Sequence, residues 1–223
     1  MPTLPPAVIC IGRNYAEHAK ELGNEVPAHP MVFLKNPASV VGDGDEIVIP
    51  PCCRDANFGG PSQVDYEGEL AVFIGRAARD VPERDALAFI AGYAAANDVS
   101  ARWWQKQGSG GQFSRGKSFD SFCPIGPMKP ATSVPDPQKL RLVTRLNGEI
   151  VQDDTTANML FSVAKLVSEL SRGATLLAGT VILTGTPAGV GAGRTPPRFL
   201  KSGDVVEIEI ANVGKVTNRV RET

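Results

Sequence analysis

The chain has 223 residues, 42% of them hydrophobic and 21% charged, with a formal net charge of −1; this is enough to bury a core as one domain, with at most a small appendage. Near-neutral charge without a basic block gives nucleic-acid binding no electrostatic support, and no apolar run approaches the roughly 20 residues that a membrane span needs. The four cysteines, Cys10, Cys52, Cys53 and Cys123, form neither a disulfide framework nor a zinc site. Together with the lack of a signal-like start they place the chain in a reducing cytosol, a mitochondrial location staying open if a presequence has been removed.

With 23 glycines and 18 prolines the chain is expected to turn often, which favours a β-rich architecture over a bundle. Val8 to Ile11 reads as a short buried strand. Asn14 to Leu22 reads as a short helix stopped by Gly23 and Asn24. Met31 to Leu34 and Glu46 to Ile49 are strand-like, and residues 51–63 form a loop. Val64 to Leu70 carries Asp65, Glu67 and Glu69 at alternate positions and runs into the apolar tract Ala71 to Ile74. Pro82 to Ala88 looks helical. Ile90 to Asn97 is apolar and small and leads to Asp98, and Ala101 to Lys106 makes a helical turn or two. Leu140 to Leu146 and Glu149 to Gln152 flank Asn147-Gly148, the sequence of a type I′ hairpin turn. Thr155 or Thr156 is expected to cap a helix with Leu160, Val163, Ala164, Val167 and Leu170 on one face, stopped by Gly173. Val181 to Leu183, Val206 to Ile210 and Lys215 to Val220 complete the strands. The reading is α+β, mainly β and mostly antiparallel, a single domain over 1–223 in which residues 1–30 form a lid-like appendage.

The carboxylates carry the sharpest signal. In a strand, residues i, i+2 and i+4 share a face. Two carboxylates about 5 Å apart at an effective dielectric near 20 repel by roughly 3 kcal/mol. Either the face lies in water, or one group holds a proton, or a cation sits there. Glu67, Glu69 and Asp98, without paired His or Cys, would suit a hard cation such as Mg²⁺, Mn²⁺ or Ca²⁺.

His18 stands three residues before Glu21 on the first helix, where i and i+3 are neighbours. This is either an exposed chance pair or a carboxylate-oriented imidazole, the construction of a general base. Lys117, between Phe113 and Phe119, is either a snorkelling lysine or an oxyanion-stabilising group on a half-buried strand. Thr184 to Gly191 lacks a P-loop ending. It is either a plain tight turn or a set of backbone N–H groups that, with Thr186, holds a small anion. Trp103, Trp104, Phe113 and Gly108 to Gly111 suggest an adaptable pocket wall.

Gly12-Arg13-Asn14-Tyr15-Ala16-Glu17-His18, Asp65-Tyr66-Glu67-Gly68-Glu69-Leu70, Asn97-Asp98-Val99-Ser100-Ala101-Arg102, Gln105, Gly116-Lys117-Ser118-Phe119-Asp120 and Thr184-Gly185-Thr186-Pro187-Ala188-Gly189-Val190-Gly191 occur in that order. Together they resemble the fumarylacetoacetate hydrolase family, over almost the whole chain and most nearly its short single-domain members. The resemblance implies a mixed β-sandwich roll, a homodimer, and Mg²⁺ (or Mn²⁺) on Glu67, Glu69 and Asp98. It makes His18 and Glu21 a dyad on a lid that orders with substrate, and gives Lys117 a catalytic role. It places Gln105 near the substrate, Thr186 on the substrate carboxylate, and Arg13 on the same carboxylate. The implied substrate is a small 2-oxo acid. The expected reaction is C–C hydrolysis of a 2,4-dioxo acid of acylpyruvate or fumarylpyruvate type to pyruvate and a carboxylic acid. The alternatives are oxaloacetate decarboxylation and enol–keto tautomerisation at the same metal site, and a non-catalytic metal-binding relative.

Overall fold

The computed structural model describes residues 4–54 and 60–223. The expected 51–63 loop therefore lies partly outside the described residues, as does the start at 1–3. Two mixed sheets pack face to face. One runs in the order Lys129–Pro130, Ile90–Asn97, Gly68–Ile74, Val181–Leu183, Val8–Gly12, Met31–Lys35. The other runs Glu149–Thr155, Arg141–Leu146, Val205–Ile210, Gly214–Glu222, Glu46–Ile49. Within these two sheets, pairings are antiparallel except Val8–Gly12 with Val181–Leu183 and Gly214–Glu222 with Glu46–Ile49.

Alternation does the sorting. Val64, Tyr66, Leu70, Val72 and Ile74 join Leu142, Leu146, Val206, Ile208 and Val220 in the inter-sheet core. Ala71, Ala94, Ala96 and Leu183 turn the other way and pack with Val8, Cys10 and Cys123 on the outer side of the six-stranded sheet. Hydrophobic burial of these two layers, worth about 25 cal/mol per Å² of apolar surface, fixes the register. That register sets Gly68 opposite Asn97 and Glu69 opposite Ala96, so Asp98 arrives beside Glu67. Gly68 is required here, because a Cβ would overlap Thr144 Oγ1 in the facing sheet.

The hairpin turn forms as expected, with left-handed φ of 54° at Asn147 and 83° at Gly148. Among the described residues the α-helices are four and short: α1 (Ala16–Glu21), α2 (Arg102–Lys106), α3 (Phe113–Lys117) and α4 (Val163–Leu170).

Several expectations are corrected. Within the expected 1–30 appendage, Val8–Gly12 is instead an inner strand of the larger sheet. Pro82 to Ala88 is a 3-10 helix, Glu83–Phe89. Ser162, not Thr155 or Thr156, caps α4, accepting from Lys165 N at 3.1 Å. Thr155 instead ends a strand and caps a separate 3-10 turn at Thr156–Asn158. Lys117 sits on α3 rather than a strand. No helix among the described residues is long and apolar enough to cross a membrane.

Candidate active site and metal centre

The carboxylate run is buried, which disposes of the solvated face. Asp65 is fully buried, and Glu67, Glu69 and Asp98 are exposed by 5% or less. The run is also not one continuous strand, for pairing breaks between Val64–Asp65 and Gly68–Ile74. Ligand atoms of Glu67, Glu69 and Asp98 all lie within 4.8 Å of one another. The Glu67 backbone holds the cluster together: its carbonyl accepts Asp98 N–H at 2.9 Å and its N–H donates to Asn97 Oδ1 at 3.0 Å.

Three cations surround the four carboxylates. Lys35 Nζ donates to Asp98 Oδ1 at 2.6 Å. Lys117 Nζ donates to Glu67 Oε2 and Asp98 Oδ2, each at 2.7 Å, and to Ser100 Oγ at 2.6 Å. Arg102 grips Asp65 Oδ2 through Nε and Nη2 at 2.9 and 2.7 Å, and reaches Glu67 Oε1 at 2.6 Å. Asp65 thus supports the site through Arg102. An ammonium has three N–H donors. All three of Lys117 are used, so in this arrangement it compensates charge and has no donor left for a substrate oxyanion.

Glu69 is the carboxylate without a cation. Its Oε2 accepts Gly185 N–H at 2.7 Å. Burial, then the charges of Asp98 and Glu67, push its carboxyl well above the usual range. Burial also acts to raise Glu67, but Lys117 and Arg102 overcome it and hold that group down at about 2. Lys117 shows the converse: burial works against its charge, yet Asp98 and Glu67 raise it above the ordinary lysine range.

The residues present fit a divalent ion. Three buried oxygen donors converge, the set contains no soft ligand, and ionising Glu69 leaves one negative charge for an ion to balance. Because Glu69 keeps its proton to higher pH than an exposed glutamate, an entering ion must displace it. Mg²⁺ binding is therefore expected to release a proton wherever Glu69 still holds one, and to tighten as pH rises. Calorimetric titration in two buffers of different ionisation enthalpy reads this directly. A heat independent of buffer would show that no proton leaves Glu69 when the ion enters.

A cavity of about 400 Å³ opens on the cluster, lined among others by Arg13, His18, Phe33, Glu67, Glu69, Gln105, Phe113, Lys117 and Thr186. Seven of the nine residues singled out in the sequence therefore line it, and Glu21 and Asp98 stand behind the wall, bonded to His18 and Lys117. Trp103 and Trp104 do not line it; Trp104 is turned away, its Nε1–H donating to Cys52 O at 2.8 Å. Phe113 and Gly111 do.

His18 Nδ1 is 3.3 Å from Glu21 Oε2, with side chains only 6% and 16% exposed. The chance surface pair is thus excluded. Six residues cannot sustain a helix alone; α1 is held from outside. Asn14 Nδ2 donates to Thr184 O at 2.8 Å and Phe161 O at 3.0 Å, and its Oδ1 accepts Phe161 N–H at 2.8 Å. Glu21 Oε1 accepts Gly189 N–H at 2.9 Å. Arg13, at φ 56°, adopts a left-handed conformation unusual outside glycine. No ion-pair partner of Arg13 occurs among the described residues.

The glycine-rich turn is neither plain nor an external anion nest. Its N–H groups hold the protein's own carboxylates: Gly185 N holds Glu69, Gly189 N holds Glu21, and Gly191 N and Ala192 N hold Asp65. The Thr186 hydroxyl is the expected anion contact that faces the cavity. Sequence reasoning assigned no role to Lys35, Arg102, Asn97 or Gln152. For Arg102 and Asn97 the one available signal was their place in the Asn97–Arg102 motif.

A family model described as fumarylacetoacetate (FAA) hydrolase C-terminal matches residues 7–221. Human oxaloacetate tautomerase FAHD2A, mitochondrial, is 45% identical over 219 residues, covering 98% of this chain and 67% of that protein. Oxaloacetate tautomerase YisK of Bacillus subtilis is 44% identical over 216 residues, 96% of this chain and 69% of that one. Fumarylpyruvate hydrolase from Pseudomonas aeruginosa, solved in complex with Mn²⁺ and pyruvate, superposes with a TM-score of 0.86 at 30% identity, covering 100% of this chain and 98% of that chain.

Proposed function

This chain belongs to the fumarylacetoacetate hydrolase family, and from that premise we propose that it is a divalent-metal-dependent enzyme interconverting the enol and keto forms of oxaloacetate. Its likeness to two oxaloacetate tautomerases favours this over the dioxo-acid hydrolysis expected from the sequence. The observation that carries it is the His18–Glu21 pair set in the same cavity as the Glu67, Glu69 and Asp98 cluster.

A divalent ion on those three carboxylates would supply Lewis acidity toward a 2-oxo carboxylate. The chain's own residues do the rest. Oxaloacetate is a dianion, and the Arg13 guanidinium, without an ion-pair partner among the described residues, suits one carboxylate while the Thr186 hydroxyl suits the other. Gln105 Oε1 accepts from Arg102 at 3.1 Å, which leaves its amide N–H groups for the ligand. Glu21 holds His18 as the Nδ1–H tautomer, so Nε2 is free to accept a proton. Enolisation breaks the C3–H bond to His18; its electron pair becomes the C2–C3 double bond as the carbonyl π pair moves onto oxygen, which takes up a proton. Ketonisation is the reverse, with no net change beyond the proton's position.

A second reading keeps hydrolysis of a 2,4-dioxo acid, favoured by the same dyad, whose geometry also suits proton removal from water, and by the likeness to fumarylpyruvate hydrolase. The test is one panel with Mg²⁺ or Mn²⁺ and EDTA controls: enol-oxaloacetate followed by loss of enol absorbance, and acetylpyruvate and fumarylpyruvate followed by pyruvate formation. EDTA-sensitive ketonisation is expected. Cleavage of a dioxo acid without ketonisation would replace the tautomerase reading by the hydrolase one.

A further inference from the structure

Gln152 lies buried on the Glu149–Thr155 strand, opposite Thr144, with no direct place in the chemistry above. Its Oε1 accepts the N–H of Gly68, the residue between Glu67 and Glu69, at 3.0 Å. Its Nε2 donates to Pro187 O at 2.9 Å and to Thr186 Oγ1 at 2.8 Å. A backbone N–H only donates and a backbone carbonyl only accepts, so the first two bonds fix the amide's orientation. Thr186 Oγ1 is then an acceptor toward Gln152, and its own proton must point elsewhere. The Thr186 side chain lines the cavity and donates to no protein acceptor among the described residues.

We infer that Gln152 is a positioning residue: it makes the Thr186 hydroxyl a committed donor toward an anionic oxygen of the bound ligand and locks that donor to the Glu67–Glu69 segment. A freely rotating hydroxyl presents a lone pair as readily as a proton and so discriminates little between a carboxylate and a hydrogen-bond donor. Fixing it selects for the anion. An oriented hydrogen bond to a charged group corresponds to roughly ten- to hundredfold in affinity. The inference rests on the 2-oxo acid reading only for the class of ligand.

Oxalate, two joined carboxylates with no C3 to react, separates binding from turnover. Calorimetric titration of the Mg²⁺-loaded full chain would compare wild type, Thr186→Val, Gln152→Met and the double variant. Thr186→Val is expected to weaken oxalate about tenfold or more and Gln152→Met about fivefold. The double variant should fall within about twofold of Thr186→Val alone, because without the hydroxyl there is nothing to orient. Additive losses, or wild-type affinity in Gln152→Met, would overturn the inference, as would failure of the wild type to bind oxalate. Should Gln152→Met not fold, Gln152→Glu keeps the shape and the Gly68 bond but draws the Thr186 proton inward. Its loss should be about tenfold larger with Thr186 present than in the Thr186→Val background, which subtracts the added charge; equal losses would overturn the inference. Oxalate binding with the expected pattern but no turnover of oxaloacetate would support the inference and overturn the tautomerase reading.

Discussion

Lys117→Met is expected to destabilise the metal-free protein by about 3–5 kcal/mol, a fall in Tm of roughly 6–20 °C at this chain length. The side chain of Lys117 is only 2% exposed and its ammonium bonds to Glu67, Asp98 and Ser100. Methionine fills much the same space, so packing changes little while two buried carboxylates lose their shared cation. Lys35, Lys117 and Arg102 balance Asp65, Glu67 and Asp98 while Glu69 holds its proton; the variant carries one negative charge in excess, and two once Glu69 ionises. Added Mg²⁺ should therefore raise the Tm of Lys117→Met by more than that of the wild type. Thermal melts with and without Mg²⁺ decide the matter. A Tm within a degree of wild type in EDTA would show that Lys117 is not the charge-compensating group that the geometry makes it.

The charge balance also explains what was legible in the sequence. Glu67 and Glu69 could be read because alternating acids before an apolar tract conflict with burial unless something resolves them. The sequence could not say what does. Lys35 ends a strand on which Val32 and Leu34 are 49% and 54% exposed while the lysine itself is buried, the reverse of ordinary amphipathic patterning. A pattern rule therefore assigns it to the surface. Gln152 is a polar residue on a hairpin strand and reads as outward-facing for the same reason. Both are inside because a polar site, not an apolar core, lies over that end of the sheets.

The His18–Glu21 pair was offered by its i, i+3 spacing, while the roles of Gln105 and Thr186 at the substrate came from the ordered motifs, and the geometry gathers His18, Gln105 and Thr186 about one cavity. The misplaced features share a cause: local signals were overridden by partners distant in sequence. Thr155 is a good cap residue, but pairing with Arg141 carries the strand through it. The N–H groups of Gly185, Gly189 and Gly191 were open in the sequence and are filled by carboxylates of residues 69, 21 and 65.

Glu21→Gln should cost nearly as much activity as losing the histidine, although Glu21 touches no substrate. His18→Gln removes the proton-accepting nitrogen and is expected to lower the rate of enol–keto conversion by about 100-fold or more, since general base catalysis contributes roughly 10²–10⁴. Its Mg²⁺ affinity should stay close to wild type, because the Glu67, Glu69 and Asp98 ligand set is intact. In Glu21→Gln the amide oxygen remains the acceptor for Gly189 N–H, the bond that seats the side chain at 2.9 Å. The NH₂ group then faces His18 Nδ1, which must accept instead of donate. The imidazole is forced into the Nε2–H tautomer and presents a proton to the cavity where a lone pair is needed. Asp→Asn at an imidazole-orienting carboxylate has that effect and lowers kcat by up to about 10⁴; with the longer 3.3 Å contact here, a loss of about 10²–10³ is expected. Steady-state kinetics of both variants, with oxalate affinity as the control for an intact cavity, separates tautomer control from collapse of α1. A Glu21→Gln enzyme within about threefold of wild type would mean that Glu21 does not set the protonation of His18, and that the proton moves by another route.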